Sequence, residues 1–208
     1  MTKKIQNELH DSKEFLNALN WEDKEKYANF LAQTYYFVRH STRLLCAAMA
    51  HFKDDRDTLF NRFKAHLQEE DAHEKIALSD LKKLGYSIDD FEESAFTRAF
   101  YETQYYRIQE SKGISLLGYI LYLEAIASFS QDVGERLYEC YGKSKSQFVK
   151  IHVEEDPEHV EKAFASIDSL PESERNLVYR NFFDTSSLYK AVLNDVFFHG
   201  GLEFSMIA

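Results

Sequence analysis

The sequence predicts an all-α protein in which about seven helices form a bundle. Glycine and proline number only 7 and 2 in a chain of 208 residues, so long helices are favoured over tight turns. Valine and threonine are sparse, which argues against β-strands. Hydrophobic residues make up 44% of the chain and aromatic residues 15%. This is enough for a sizeable core, and we expect one domain over residues 1–208.

Seven stretches have apolar residues at helical spacing. They cover residues 4–19, 21–52, 58–84, 87–110, 113–141, 144–167 and 171–200. Gly85 and Gly142 lie where the third and fifth helices should end, because glycine readily adopts the left-handed conformation that follows a helix. The segment 87–90 is typical of a helix cap and should begin the fourth helix, and Pro171 should begin the seventh.

Composition and charge exclude several classes of partner. The net charge is −10 and basic residues are interspersed with acidic ones, so a nucleic-acid surface is not expected. The N-terminus lacks the apolar core of a signal peptide. The most apolar run, 113–131, contains Glu124 with several serines and tyrosines, which favours a buried core helix over a membrane span. Cys46 and Cys140 have no CxxC spacing and are expected to be reduced and buried in a cytoplasmic protein.

Three candidate metal ligands share one face of the predicted sixth helix. His152, Asp156 and His159 occupy positions i, i+4 and i+7, which places them within about 60° of one another. Pro157 removes the hydrogen bond to the carbonyl of Val153 and should bend the helix there. In the alternative, a helix begins at Pro157 and His152 falls outside it. The pattern predicts half of a metal site.

The third predicted helix repeats this spacing. His66, Glu70 and His73 again occupy positions i, i+4 and i+7, and Glu69 is an alternative carboxylate. Because further acidic residues surround them, a solvated acidic face is the competing interpretation.

Glu124 is the third candidate, and its neighbours along the fifth predicted helix are almost all apolar. A buried carboxylate with no cation nearby is costly or becomes protonated. A metal ion therefore fits this position, and a salt bridge to Arg39 or Arg43 is the alternative.

Together these candidates offer nitrogen and oxygen ligands without a thiolate. Such a set suits iron or manganese, and zinc is compatible with it. More than four candidate ligands indicate two metal ions. Ferritin-like di-iron bundles need a lone Glu on a further helix, but the helix 27–52 has no acidic residue in its body. The set therefore departs from the ferritin pattern.

These motifs resemble those of the haem-oxygenase-like di-iron oxidases and oxygenases, the CADD-like group of the TenA and haem-oxygenase superfamily. The resemblance covers nearly the whole chain and implies an all-α haem-oxygenase-like bundle of about seven helices. In that family three core helices supply a carboxylate with His, then a lone Glu, then His-x-x-x-Asp/Glu-x-x-His. The implied metal ligands are Glu70, His73, Glu124, His152, Asp156 and His159. CADD-like members carry the first carboxylate seven residues before the His, so His66 stands in place of or beside Glu70.

The resemblance further implies a function. We expect an O2-dependent non-haem oxidoreductase, an oxidase or oxygenase acting on a small molecule with two iron ions as cofactor and O2 as co-substrate. Manganese or a mixed iron–manganese pair is an alternative cofactor. An external electron donor is compatible with this chemistry. Relatives of this fold are often homodimers, so a homodimer is expected. The acid-free second helix offers candidates for the substrate pocket, and Arg39 among them could bind a substrate carboxylate. These candidates are Tyr35, Tyr36, Arg39 and His40.

Three other functions remain open at this point. A haem-binding protein of the same fold would use His10 as the proximal ligand, although Gly113 and Gly118 are not the closely spaced set that lets a helix approach haem. A TenA or thiaminase-like hydrolase would use Cys140 as its nucleophile. A non-enzymatic helical interaction protein would use its histidines only structurally.

Overall fold

The computed structural model describes residues 3–53, 57–154 and 157–199, without the side chains of residues 157–159, 161 and 162. Within these ranges the chain is helical and contains no β-strand, so the predicted all-α class is confirmed. The helices are α1 Lys3–Asn17, α2 Lys24–Val38, α3 Ser41–Met49, α4 Asp57–Glu69, α5 His73–Lys83, α6 Ala95–Ser111, α7 Leu116–Ser128, α8 Gln131–Tyr141, α9 Gln147–Glu154, α10 Pro157–Asp168 and α11 Glu172–Asn194.

All seven predicted helices are found, but three of them are each divided into two within the described residues. The second is divided into α2 and α3, the third into α4 and α5, and the fifth into α7 and α8. The sixth is described as α9 and α10, on either side of residues 155 and 156, which lie outside the described residues. The α4–α5 break contains Ala72 in the left-handed conformation, with φ of 69°. Gly85 and Gly142 adopt positive φ next to helix ends, as predicted.

The fourth predicted helix begins later than expected. Ser87 forms a capping box, but this box begins a short 3-10 helix, Ile88–Asp90. Helix α6 begins after Ser94, whose hydroxyl accepts a hydrogen bond of 3.1 Å from the backbone N–H of Thr97.

The bundle is organised around α7, which packs closely on α11. Most of its residues are buried, so the prediction of a buried core helix is confirmed. Gly118 is required at the crossing, because a Cβ atom there would lie 2.1 Å from the carbonyl oxygen of Val178 and 2.8 Å from the backbone nitrogen of Phe182. Among the described residues, no helix combines the length and apolar character needed to cross a lipid bilayer.

The prediction that both cysteines are buried is wrong. Cys46 and Cys140 are free thiols and both are exposed. On α3, the buried face is formed by Leu44, Leu45 and Ala48, and Cys46 lies on the opposite face because helical residues advance by about 100°. Cys140 lies in the last turn of α8.

Candidate metal centre

The break between α4 and α5 brings two predicted ligands together. Glu70 follows the last residue of α4, and His73 is the first residue of α5. The left-handed backbone at Ala72 turns the chain between them at a cost of about 1–2 kcal/mol. His73 Nδ1 lies 3.7 Å from Glu70 Oε2. Such strain is more common at functional sites than in ordinary packing.

Helix α9 adds His152 to this pair. The rings of His73 and His152 lie 5.0 Å apart at an interplanar angle of 73°. Ligand atoms of Glu70, His73 and His152 all lie within 4.8 Å of one another. His152 donates from Nδ1 to the carbonyl oxygen of Phe148 at 2.7 Å, which leaves Nε2 available as a ligand. Backbone carbonyls commonly orient metal-binding histidines in this way.

His66 from α4 and Glu124 from α7 complete a group of five that we call the ligand cluster. The Nδ1 atom of His66 lies 3.4 Å from Glu124 Oε1, and its Nε2 atom lies 3.7 Å from Glu70 Oε1. His66 and Glu70 therefore lie next to each other, and whether His66 binds the metal in place of or beside Glu70 stays a prediction. Arg39, one proposed partner of Glu124, pairs with Glu93 instead, at 3.2 Å.

Burial separates the ligand cluster from an ordinary acidic face. The side chains of His66 and Glu70 are 16% and 17% exposed, and that of Glu124 is 10% exposed. Glu69, which also contacts His66, is 54% exposed. The interpretation as a solvated acidic face therefore describes Glu69 but not the cluster.

The histidines of the cluster have different electrostatic environments. Burial lowers the pKa of His66, but a hydrogen bond to Glu69 and the charges of Glu124 and Glu70 outweigh burial, so the pKa is raised. Burial lowers the pKa of His152, and the neighbouring His73 and His66 act in the same direction. His152 is therefore held as the neutral imidazole, the form that binds metal ions.

The donor set fits a first-row metal ion such as iron. It combines imidazole nitrogens and carboxylate oxygens, which together suit iron or manganese. Among the described residues, the buried Nδ1 atom of His73 has no hydrogen-bond partner. Buried polar atoms are normally satisfied, and a metal ion would satisfy this one.

Two predicted ligands lie on the segment that follows α9. Asp156 and the side chain of His159 lie outside the described residues, and their participation stays a prediction. Helix α9 ends at Glu154 and α10 begins at Pro157. Residues 155 and 156 between them lie outside the described residues, so the bend at Pro157 and the alternative start of a helix at Pro157 both stay predictions. His152 lies in α9.

An apolar cavity of about 140 Å³ adjoins the ligand cluster. His66, Glu70, Glu124 and His152 form part of its wall. Apolar side chains of α2, α3, α7 and α9 form most of the remainder, including Phe37, Leu44, Ile120 and Phe148. The cavity can hold a small molecule next to the cluster.

The four residues predicted for the substrate pocket do not line this cavity. Helix α2 presents Phe30, Thr34, Phe37 and Val38 to it instead, a set with spacing i, i+4, i+7 and i+8 that forms one helical face. The four predicted residues, Tyr35, Tyr36, Arg39 and His40, lie on the other side of α2 or just after it.

These four residues have other contacts. Tyr36 donates a 2.9 Å hydrogen bond to the carbonyl oxygen of Phe91, and the imidazole of His40 stacks on Tyr101 with ring centroids 3.9 Å apart. Tyr35, Arg39 and His40 border a separate polar depression.

Sequence reasoning missed Asp80, which positions α9. This carboxylate on α5 is fully buried, and its Oδ2 atom accepts a 2.8 Å hydrogen bond from the backbone N–H of Phe148. It thereby caps α9 from another helix, one turn before His152, and its negative charge is favourable at a helix N-terminus. An acidic residue between Ala77 and Leu81 on an apolar stripe was the available signal.

Sequence reasoning also missed Thr34 and Tyr119, two polar residues in the cavity wall. Both lie within apolar helices, and a hydroxyl at a buried position of such a helix was the signal.

The fold and cluster together define a helical protein with buried nitrogen and oxygen ligands beside an apolar cavity. A family model described as iron-containing redox enzyme, of haem-oxygenase-like type, matches residues 28–187. Because the match covers more than half of the chain, the protein belongs to this family. The predicted resemblance to haem-oxygenase-like proteins is thereby confirmed.

Three solved structures are similar over nearly their full length. A domain of unknown function with a haem-oxygenase-like fold from Shewanella denitrificans is 18% identical with a TM-score of 0.80, covering 93% of this chain and 90% of that chain. A TenA homologue from Pseudomonas syringae pv. tomato is 10% identical with a TM-score of 0.71, covering 93% and 91%. A TenA homologue from Pyrococcus furiosus is 14% identical with a TM-score of 0.65, covering 93% and 96%.

At these identities the structures establish the haem-oxygenase-like fold alone. No curated protein matches the chain.

Proposed function

We propose that the protein is an O2-dependent non-haem di-iron oxidoreductase that oxidises or oxygenates a small molecule. The observation that carries this proposal is the convergence of Glu70, His73 and His152 within 4.8 Å, in a chain that belongs to a family of iron-containing redox enzymes. His66 and Glu124 extend this group from two further helices. Asp156 and His159 are the remaining ligands of the proposed pair of iron ions.

Iron held there would supply the electrons and the open coordination positions that O2 activation needs. The carboxylates of Glu70 and Glu124 would offset the positive charge of the metal. Hydrogen bonding to the carbonyl of Phe148 orients His152, and Asp80 fixes the helix that carries it. The apolar wall would bind the substrate and exclude water.

The structure favours this function over the haem-binding alternative. His10, the proposed proximal ligand, is exposed on α1. The backbone of α11 occupies the space next to Gly118, since a Cβ atom there would lie 2.1 Å from the carbonyl oxygen of Val178. Gly118 therefore lets α7 meet α11 and does not serve the approach of a helix to haem.

The hydrolase and the interaction protein are also less well supported. Cys140 is exposed and is absent from the described lining of the cavity, so it is poorly placed as a nucleophile for a substrate bound there. A purely structural role for the histidines does not account for the buried Nδ1 atom of His73. The proposal extends to a homodimer and an external electron donor as partners.

Metal analysis after anaerobic loading with Fe(II) tests the proposal. We expect more than one iron per wild-type chain and iron-dependent O2 consumption at an oxygen electrode. His152→Ala should lower iron affinity at least about tenfold, a loss reported even for changes outside the metal ligands themselves. His10→Ala, which removes an exposed histidine, is the matched control and should bind iron normally. Unchanged iron content in His152→Ala would refute the site.

A further inference from the structure

Two hydroxyl groups in the cavity wall have no hydrogen-bond partner among the described residues. They are Thr34 Oγ1 on α2 and the phenol oxygen of Tyr119 on α7. Both residues line the cavity, and they are only 1% and 4% exposed. Since buried polar groups are normally hydrogen-bonded, these two hydroxyls indicate where a ligand would place a polar atom.

Tyr119 lies near the ligand cluster and stays protonated. Burial raises the pKa of its phenol, and the negative charge of Glu70 raises it further. The phenol is therefore protonated at neutral pH and can donate a hydrogen bond. Tyr119 and Glu70 line the same cavity.

The charges of the wall oppose an anionic ligand. None of the described lining residues is Lys or Arg, while Glu70 and Glu124 contribute carboxylates. The imidazole of His66 is already surrounded by carboxylates, at 3.4 Å from Glu69, 3.7 Å from Glu70 and 3.4 Å from Glu124. A substrate carboxylate away from the metal would therefore lose its hydration without meeting an available protein cation, which is costly. Neutral hydroxyls such as those of Thr34 and Tyr119 can donate to or accept from an uncharged group.

The cavity is partly open, and its volume limits the part of the ligand that it can enclose. Its volume is about 140 Å³, similar to an engineered apolar cavity that holds benzene in another protein. About six to eight non-hydrogen atoms fit such a space, and most of them would contact apolar side chains.

We propose that the substrate is a small uncharged molecule, largely hydrocarbon, with one hydrogen-bonding group that Tyr119 and Thr34 recognise. This inference rests on the proposed function, in that the cavity beside the cluster is taken as the substrate site. Under this proposal the hydroxyls of Tyr119 and Thr34 determine substrate specificity, rather than the guanidinium of Arg39 that the sequence suggested.

Phenol, toluene and benzoate are suitable probes, because they share one ring and differ in the polar group. Their affinities can be measured by ligand-detected NMR on the full chain, kept anaerobic, with and without Fe(II). Without iron, wild type should bind phenol at least about fivefold more tightly than toluene or benzoate, the size expected of one neutral hydrogen bond.

Tyr119→Phe and Thr34→Val preserve shape and remove one hydroxyl each. Each should weaken phenol binding about fivefold and leave toluene binding unchanged. Tyr122→Phe is the matched control on α7, because its hydroxyl already donates to Ser12 Oγ at 3.2 Å and the residue is absent from the described lining. It should leave the affinity for phenol unchanged.

Two outcomes would overturn the inference. One is tighter binding of benzoate than of phenol by the iron-free chain. The other is an equal effect of both substitutions on phenol and toluene. Iron loading is measured on the same samples, so normal loading without phenol selectivity overturns this inference alone. Phenol selectivity without iron loading overturns the proposed function alone.

Discussion

The contact between α7 and α11 predicts a large effect for Gly118→Ala. The new methyl group would lie 2.1 Å from the carbonyl oxygen of Val178 and 2.8 Å from the backbone nitrogen of Phe182, whereas ordinary contacts begin at 3.4 Å. Both obstacles are backbone atoms, so no side chain can rotate away, and the helices must separate by about 1 Å or more. Overpacking of this kind costs about 1–3 kcal/mol, occasionally more.

Alanine has a higher helix propensity than glycine, which raises the free energy of unfolding by about 1 kcal/mol and offsets part of this cost. Because both obstacles are rigid backbone, we place the overpacking cost at or above the top of that range, about 3–4 kcal/mol, which leaves a net loss in the free energy of unfolding of about 2–3 kcal/mol. In a chain of this size each kcal/mol moves Tm by about 2–4 °C. We therefore expect a Tm about 5–10 °C below wild type, measured by circular dichroism and calorimetry.

Gly134→Ala supplies the matched control. A Cβ atom at Gly134 would lie 3.4 Å from the hydroxyl of Tyr138 and 3.5 Å from Val153 Cγ1, which are ordinary distances. With no overpacking, the gain in helix propensity should remain, and this variant should be up to about 1 kcal/mol more stable than wild type. Equal Tm values for the two variants would refute the reasoning.

Gly118→Ala should also affect the candidate metal centre. Helix α7 carries Tyr119 and Glu124, one and six residues after Gly118. A shift of α7 away from α11 moves Glu124 relative to His66, which lies 3.4 Å from it. Under the proposed function, iron affinity in Gly118→Ala should fall even at temperatures where the variant is folded, whereas Gly134→Ala should retain it.

Three further predictions concern other parts of the chain. Asp80 accepts a hydrogen bond from Phe148 N–H at 2.8 Å, so Asp80→Ala removes the buried cap of α9. This variant should have a free energy of unfolding about 2–3 kcal/mol lower in urea titrations. It should also bind iron more weakly, because α9 carries His152. Arg136 donates two hydrogen bonds with its planar guanidinium, to the carbonyl oxygens of Asn17 at 2.8 Å and Leu19 at 3.0 Å. Lysine cannot form both bonds in this geometry, so Arg136→Lys should lower the free energy of unfolding by about 1–2 kcal/mol in the same assay. Burial, followed by the charges of Arg39 and Arg43, lowers the pKa of His40 from 6.5 to about 4. Between these pH values the unfolded chain binds the extra proton, so stability is lost as pH falls from 6.5 towards 4, and His40→Gln should reduce the fall in Tm between pH 7 and pH 4.5.

Each of these predictions has a control and a result that would contradict it. Asp80→Asn retains an acceptor and should lose less stability than Asp80→Ala; equal losses would show that the cap is unimportant. Arg98 is half exposed and forms an ion pair of 3.7 Å with Glu93, so Arg98→Lys should hardly change the free energy of unfolding. An equal loss in Arg98→Lys and Arg136→Lys would contradict the role given to the paired hydrogen bonds of Arg136. An unchanged pH dependence in His40→Gln would assign the loss of stability to other groups.

The helices were predictable because their signals are local. Scarce glycine and proline and apolar residues at helical spacing identified all seven predicted segments, and Gly85 and Gly142 marked two ends. The divisions were harder to predict. Ala72 adopts φ of 69°, a conformation that the residue type does not favour, so only the surrounding structure can account for it.

Candidate ligands were predictable for a similar reason. Charged and imidazole groups on apolar helical faces are costly unless they are partnered, so His66, Glu70, His73, Glu124 and His152 stood out at their spacing. The pocket was not predictable in this way. Helix α2 is buried on nearly all sides, so its apolar pattern does not identify the face that borders a cavity, and polar residues at its end drew attention instead.

The sequence by itself therefore determined the all-α class, the positions of the helices and a set of candidate metal ligands, because these depend on residue type and spacing along one helix. Tertiary structure decided which ligands meet, where the helices break and which hydroxyls face the cavity. It also decided that Asp80 caps α9 and that Gly118 admits the backbone of α11. Each of these depends on the close approach of segments distant in sequence, and no local pattern encodes that distance.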